Sequence, residues 1–233
     1  MMMIVALATL AFGAISCDIN VGQNSDLRPT QVTKAGQKFV LTAFDEISMS
    51  CPFEVDYEPG GSPAVLLEAP DDVFQYITVY VKDSTLHVAT NNSIVNGGID
   101  LDFSKVKLHV MCPQLKDIEV KGSGDFVAKK AIKAEEDFEI ELAGSGNIKL
   151  MLLTCHDLDI QVAGSGKVTV GAVNCNDIET SIAGSGSVVC MQVKANEVET
   201  NIAGSGKARF YGHAASHKEN VTGSGRVDVS ELK

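Results

Sequence analysis

The chain has 233 residues, 45% of them apolar, with 21 Gly, no Trp and a formal net charge of −11. That length supplies ample core for one large domain or two small ones. The acidity, with no clustered Lys or Arg, excludes a nucleic-acid binder, because a phosphate backbone demands basic patches. Abundant Gly with only 6% aromatics points instead to a β-rich fold with many tight turns, where Gly supplies backbone at φ > 0.

Residues 3–15 form an uncharged, mostly apolar run that is too short to span a bilayer comfortably and reads as the core of a signal peptide. It ends in Ala14-Ile15-Ser16-Cys17, which resembles a bacterial lipobox. Residues 1–16 are therefore expected to be the signal peptide and Cys17 the acylated first residue of the mature chain. The alternative is an ordinary cleaved signal with an incidental Cys17, since no Lys or Arg precedes it. Residues 17–37, polar and containing a Pro, read as a lipidated tether. The folded domain then occupies 38–233, irregular over 38–115 and regularly repeated over 116–230.

In the irregular part, period-two apolar patterning predicts strands over 41–55, 64–68, 77–81, 85–89 and 106–112. Residues 56–63 and 91–98, rich in Gly, Pro and Asn, read as loops. This half is expected to continue or cap the repeats that follow, because a bare end would leave an open β-edge.

From residue 122 onward Gly-Ser-Gly recurs, beginning at Gly122, Gly144, Gly164, Gly184, Gly204 and Gly223, and Ala precedes four of the six. Before each turn apolar or Thr residues alternate, as in Phe138-Ile140-Leu142 and Ile178-Thr180-Ile182. After it the alternation resumes, as in Val168 and Val170. Alternation of period two means strands with one buried face. Each repeat thus gives two short strands bent apart at Gly-Ser-Gly, plus a third segment such as Leu152-Leu153. Equivalent residues one repeat apart stack at about 4.8 Å. A single such coil cannot bury its apolar face but a stack can, so the spacing predicts an all-β, parallel β-helix.

Three features carry a family resemblance. They are the segment from Val110 to Ile118, Gly122-Ser123-Gly124-Asp125, and the repeated Ala-Gly-Ser-Gly. Together they resemble the auto-transporter adhesin, head GIN domain family of Gram-negative bacteria, over residues 38 to 230. The resemblance implies a right-handed parallel β-helix (solenoid) and a non-catalytic adhesive role in the cell envelope, and it brings no functional residues with it.

The most pointed chemistry lies just before the turns. Asp137, Asp157, Asp177 and Glu197 stand seven residues ahead of four of them, and Glu139, Asp159, Glu179 and Glu199 stand five ahead. Both columns alternate with buried positions and are expected to face outward on one sheet. Unit charges spaced about 4.8 Å apart repel by about 0.9 kcal/mol even in water. Ca2+, which takes several carboxylate oxygens, would relieve this; so would Lys side chains, and a plain solvated face is the alternative to a site.

The serine ladder, Ser123, Ser145, Ser165, Ser185, Ser205 and Ser224, has no recurring His beside it, as nucleophilic catalysis requires. It reads as a structural turn whose hydroxyls bond backbone or one another. His213 and His217 have metal-ligand spacing only if they lie on a helix. Cys155 and Cys175, one repeat apart, are expected to stack, either as a buried thiol ladder or within disulfide range. Cys190 falls in a core column, and Cys51 with Cys112 is a further possible pair.

The chain is thus read as an exported envelope lipoprotein with no enzyme activity and no cofactor besides a Ca2+ candidate. Its lipid anchor meets the outer membrane, and its partner is an envelope or host protein or a glycan. A carbohydrate-binding or polysaccharide-degrading β-helix is the alternative.

Overall fold

The computed structural model describes residues 39–90 and 101–233. The expected signal peptide, Cys17, the tether and the 91–98 loop lie outside the described residues. The described residues form seventeen strands. In the regular part they are β8 (Asp117–Gly122), β9 (Asp125–Lys133), β10 (Phe138–Gly144), β11 (Asn147–Thr154), β12 (Leu158–Gly164), β13 (Lys167–Asn174), β14 (Asp177–Gly184), β15 (Ser187–Gly204), β16 (Lys207–Gly223) and β17 (Arg226–Leu232). β15 and β16 each run on through a corner of the coil.

Strands before the Gly-Ser-Gly turn stack on one another in parallel. β8 pairs with β10, β10 with β12, β12 with β14 and β14 with the second half of β15, which in turn pairs with the second half of β16. Strands after the turn stack likewise through β9, β11, β13, the first half of β15, the first half of β16 and β17. The register joins residues twenty apart, Phe138 to Leu158 to Ile178, so every inward column is continuous from coil to coil. The result is the expected parallel β-helix, of about six turns.

Inward positions are closed to solvent. Ile140, Ile160, Ile148, Val168, Val188 and Phe210 all have zero exposure. Burial of each such side chain contributes about 1.5–3 kcal/mol, and only stacking makes that burial available to so thin a coil.

The turn is built from both glycines. The first takes φ values from +99° to +138° across the six coils, a region that side chains with Cβ rarely enter. The third is buried beneath the neighbouring coil in five of the six turns, Gly225 of the last being partly exposed. A Cβ on Gly186 would come within 2.5 Å of Val162 Cγ1. The serine N–H donates to the first glycine's carbonyl in the coil before: Ser145 to Gly122 at 2.8 Å, Ser165 to Gly144 at 2.9 Å and Ser185 to Gly164 at 2.8 Å. The serine side chains stand exposed at the corner. Coils are therefore tied there through the serine backbone N–H.

The irregular half both continues and caps the stack. β2 (Glu46–Ser50) pairs in parallel with β8, and β3 (Val55–Pro59) with β9. The continuous strand expected over 41–55 is thus two strands. They are broken at residues 51–54, where the carbonyls of Cys51 and Phe53 lie against Gly124 in the place of a Gly-Ser-Gly turn. β3 also takes the first part of the loop expected over 56–63.

β6 (Thr85–Thr90) then pairs in parallel with the other edge of β2, and β7 (Lys107–Cys112) with β3. The earlier coil is therefore inserted between the later one and the repeats. Antiparallel strands close this end: β5 (Ile77–Lys82) against β6, and β4 (Ala64–Glu68) against β7, with β1 (Phe39–Val40) beyond β4. No helix among the described residues is long and apolar enough to cross a membrane.

Candidate functional site

The outer face of the sheet β2-β8-β10-β12-β14-β15 carries the acidic columns. Because inward and outward side chains alternate, the buried run Phe138, Ile140, Leu142 leaves Asp137, Glu139 and Glu141 pointing out, and the same holds in each coil. The register places Glu139 opposite Asp159, Asp159 opposite Glu179 and Glu179 opposite Glu199. In the other column Asp177 stands opposite Glu197.

The grid extends further than its eight expected members. Asp117 lies opposite both Glu139 and Glu46, so six carboxylates, Glu46-Asp117-Glu139-Asp159-Glu179-Glu199, run along one line. Asp117 was legible, since it stands five residues before Gly122 just as Glu139 stands before Gly144. Glu46 was not, because its coil lacks the turn motif.

This line is electrostatically loaded. Half-burial, then the charges of Glu139, Glu46, Glu141 and Glu119, push the Asp117 carboxyl up to about 7. Burial together with Glu141 and Asp159 likewise raises Glu139 above the usual carboxylate range. Compensation comes mainly at the ends. Lys116 Nζ lies 3.2 Å from Asp45 and 3.4 Å from Glu46, and Lys218 Nζ lies 2.5 Å from Glu197. In the middle, Gln161 donates to Glu139 at 3.2 Å and to Asp159 at 3.3 Å. Among the described residues no basic side chain pairs with Asp159 or Glu179, while Asp177 feels the charge of Lys218.

The Asp column has a second use. Asp157 Oδ1 accepts the backbone N–H of Asp177 at 3.1 Å, and Asp177 Oδ1 accepts that of Glu197 at 3.2 Å. Asp125, just after the first turn, holds the N–H of Asn147 in the same way at 3.0 Å. A short carboxylate at these corners thus satisfies a donor of the next coil.

His156, which no sequence pattern singles out, joins this column. Its Nδ1 lies 3.0 Å from Asp137 and 3.2 Å from Asp157. The hydrogen bond to Asp137 and the charge of Asp157 raise its pKa. One ligand atom from each of the three residues falls within 4.8 Å of the others, so this is where the face can most readily hold a cation. Nothing in the repeat announces it: the corner column reads Glu136, His156, Asn176, Asn196. A shallow groove of about 500 Å3 runs beside this corner, lined by Asp137, Asp157, Asp117, Glu139, Asp159 and Glu179 among others.

His213 and His217 lie on β16 on either side of the corner at Ala214, opposite Lys194 and Val198, and not on a helix. The helical spacing that would make them joint metal ligands therefore does not apply. Cys51 donates to the Phe53 carbonyl, while Cys112 contacts Tyr57 and the Gln114 carbonyl. Both are free thiols.

No curated protein matches the chain. Solved structures share its fold. A "putative adhesin" from Bacteroides fragilis aligns with a TM-score of 0.65 and 21% identity, over 88% of this chain and 97% of that one. A "putative adhesin" from Parabacteroides merdae aligns at 0.67 and 19%, over 83% and 95%. A "putative lipid binding protein" from Parabacteroides distasonis aligns at 0.64 and 22%, over 82% and 94%. Residues 43–231 match the model of the family described as "putative auto-transporter adhesin, head GIN domain". With that match spanning most of its length, and with the stacked Gly-Ser-Gly coils behind it, the chain belongs to the head GIN domain family.

Proposed function

We propose that the chain is an exported lipoprotein, acylated at Cys17, whose β-helix is a non-catalytic adhesion surface in the cell envelope and whose contact face is the acidic sheet. The observation that carries this reading is the line of six in-register carboxylates. Two facing acids at its centre, Asp159 and Glu179, have no basic partner among the described residues. A surface of this kind costs electrostatic energy by itself and regains it when a cation or a basic partner arrives. Membership of an adhesin family supports the adhesive role. Ca2+ is the cation proposed, bridging Asp137, Glu139, Asp157, Asp159, Asp177, Glu179, Glu197 and Glu199 as an adaptable oxygen-ligand array.

The test is proximity labelling in the native envelope, comparing the parent chain with an Asp159→Asn, Glu179→Gln, Glu199→Gln variant and with Cys17→Ala. The expected outcome is that the face variant stays in the membrane fraction but loses its labelled neighbours, whereas Cys17→Ala leaves that fraction. Unchanged neighbours in the face variant overturn the contact face, and unchanged fractionation of Cys17→Ala overturns the anchor. Calorimetry without Ca2+ heat, with a Ca2+-independent melting temperature, removes the cation. Cleavage products from an acidic polysaccharide would favour the degradative alternative.

A further inference from the structure

All five cysteines among the described residues are free thiols. Cys190 is fully buried in the apolar column of Leu150, Val170 and Phe210, and Cys51 and Cys112 each bond separate oxygens. Cys155 and Cys175 differ from these three. They follow directly on β11 and β13, whose register ends at Thr154 opposite Asn174, so the two cysteines occupy the same corner of adjacent coils. The backbone holds them there: Cys155 N–H donates to the Asn174 carbonyl at 3.2 Å, and Cys175 N–H to that of Lys194 at 3.1 Å. The two side chains thus leave equivalent corner positions one coil apart.

The rest of that corner column is alanine. Ala134 precedes the pair, with its N–H on Thr154, and Ala195 followed by Ala214 succeeds it. Each thiol therefore has only the other as a sulfur neighbour within the column. One coil spacing, about 4.8 Å, falls within the Cα separation that a disulfide bridges, about 4.4–6.8 Å. Cys155 is buried and Cys175 partly exposed, so a reagent reaches one sulfur and the other waits behind it.

We propose that Cys155 and Cys175 form an oxidisable dithiol, a modification site at which an inter-coil disulfide closes at the expense of a low-molecular-weight disulfide. In the first step the Cys175 sulfur attacks one sulfur of the reagent. A mixed disulfide forms, and the expelled thiolate takes the proton that Cys175 gave up. In the second step the Cys155 sulfur attacks Cys175 Sγ and expels the second reagent thiolate, which leaves with the proton of Cys155. Two cysteine thiols are oxidised by two electrons in all, and one reagent disulfide is reduced to two thiols. The neighbouring thiol, burial and the charges of Asp157 and Asp137 hold Cys155 in its thiol form. The second step is accordingly slow near neutrality and faster in alkali, because the thiolate is the nucleophile.

The experiment exposes the full folded chain to oxidised glutathione, then denatures and alkylates it for mass spectrometry. The expected product has two fewer alkylatable thiols than the reduced chain and a Cys155–Cys175 cross-linked peptide that reductant reverses. Its melting temperature is raised relative to the reduced form. Cys155→Ala is expected to fold, because alanine already occupies this corner in other coils, and to accumulate a glutathione adduct at Cys175 that does not resolve. A parent chain that keeps every thiol alkylatable, or that accumulates the Cys175 adduct without closing, overturns the proposal. So does a cross-link in the folded parent that joins any other pair.

Discussion

Asp117 shows how the stack changes the chemistry of one residue. In the unfolded chain its carboxyl titrates near 3.8, and in the fold near 7. The folded state therefore binds more protons between these values, and stability falls as pH rises through that window. The contribution is fully present below pH 3.8 and is lost above about 7. Asp117→Asn removes the titrating charge and keeps the size of the side chain. The variant is expected to melt higher than the parent at pH 7.5 and to show a flatter dependence of melting temperature on pH between 5 and 7.5. Thermal unfolding of both chains across that range checks it, and equal slopes would remove Asp117 as the source.

The coil is the element that the sequence expresses most directly. Its strands and its turn repeat one pattern of hydrogen bonds every twenty residues, so the same residue types are needed at the same offsets. Gly184 illustrates the demand. Its φ is +117°, and an added Cβ would lie 2.6 Å from the Gly164 carbonyl oxygen. Gly184→Ala therefore combines backbone strain with a clash against backbone that has no rotamer to yield. A loss of about 2–4 kcal/mol is expected, read by urea denaturation against a Ser185→Ala control. That control keeps the N–H bonded to Gly164 and is expected to cost under about 0.5 kcal/mol.

What escaped the sequence is what does not repeat. The corner at residues 51–54 contains no Gly, and the insertion of β2 and β3 between β6-β7 and β8-β9 depends on pairings that no local pattern encodes. The carboxylate columns were legible because outward positions alternate with the core. His156 was not, because its meeting with Asp137 and Asp157 depends on side chains that reach across coils at a corner.

At the scale of the whole molecule, the two ends of the stack are finished differently. Antiparallel β4 and β5 cover the first end. At the other, the second half of β16 has no strand beyond it among the described residues, since β17 pairs only with residues 207–212. Two of the three inward columns before the turn change character as they approach this edge, while the third stays apolar to Val221. The column that holds Ile140 and Ile160 continues as Thr180 and Thr200, both with orphaned, buried hydroxyls, and ends in Glu219. Its neighbour runs Ile178, Val198 and then His217. His217 and Glu219 are exposed, so the last coil places polar groups at these two inward positions beside the space that a further coil would occupy. An uncovered parallel edge with an apolar inner face would otherwise template pairing with another chain.

Restoring the pattern of the preceding coil, with His217→Val and Glu219→Thr together, is therefore expected to make the chain self-associate through this end in a concentration-dependent way. Sedimentation of parent and variant at matched concentrations checks it. A variant that sediments as the parent does at every concentration would show that the polar residues are not what keeps this edge unpaired.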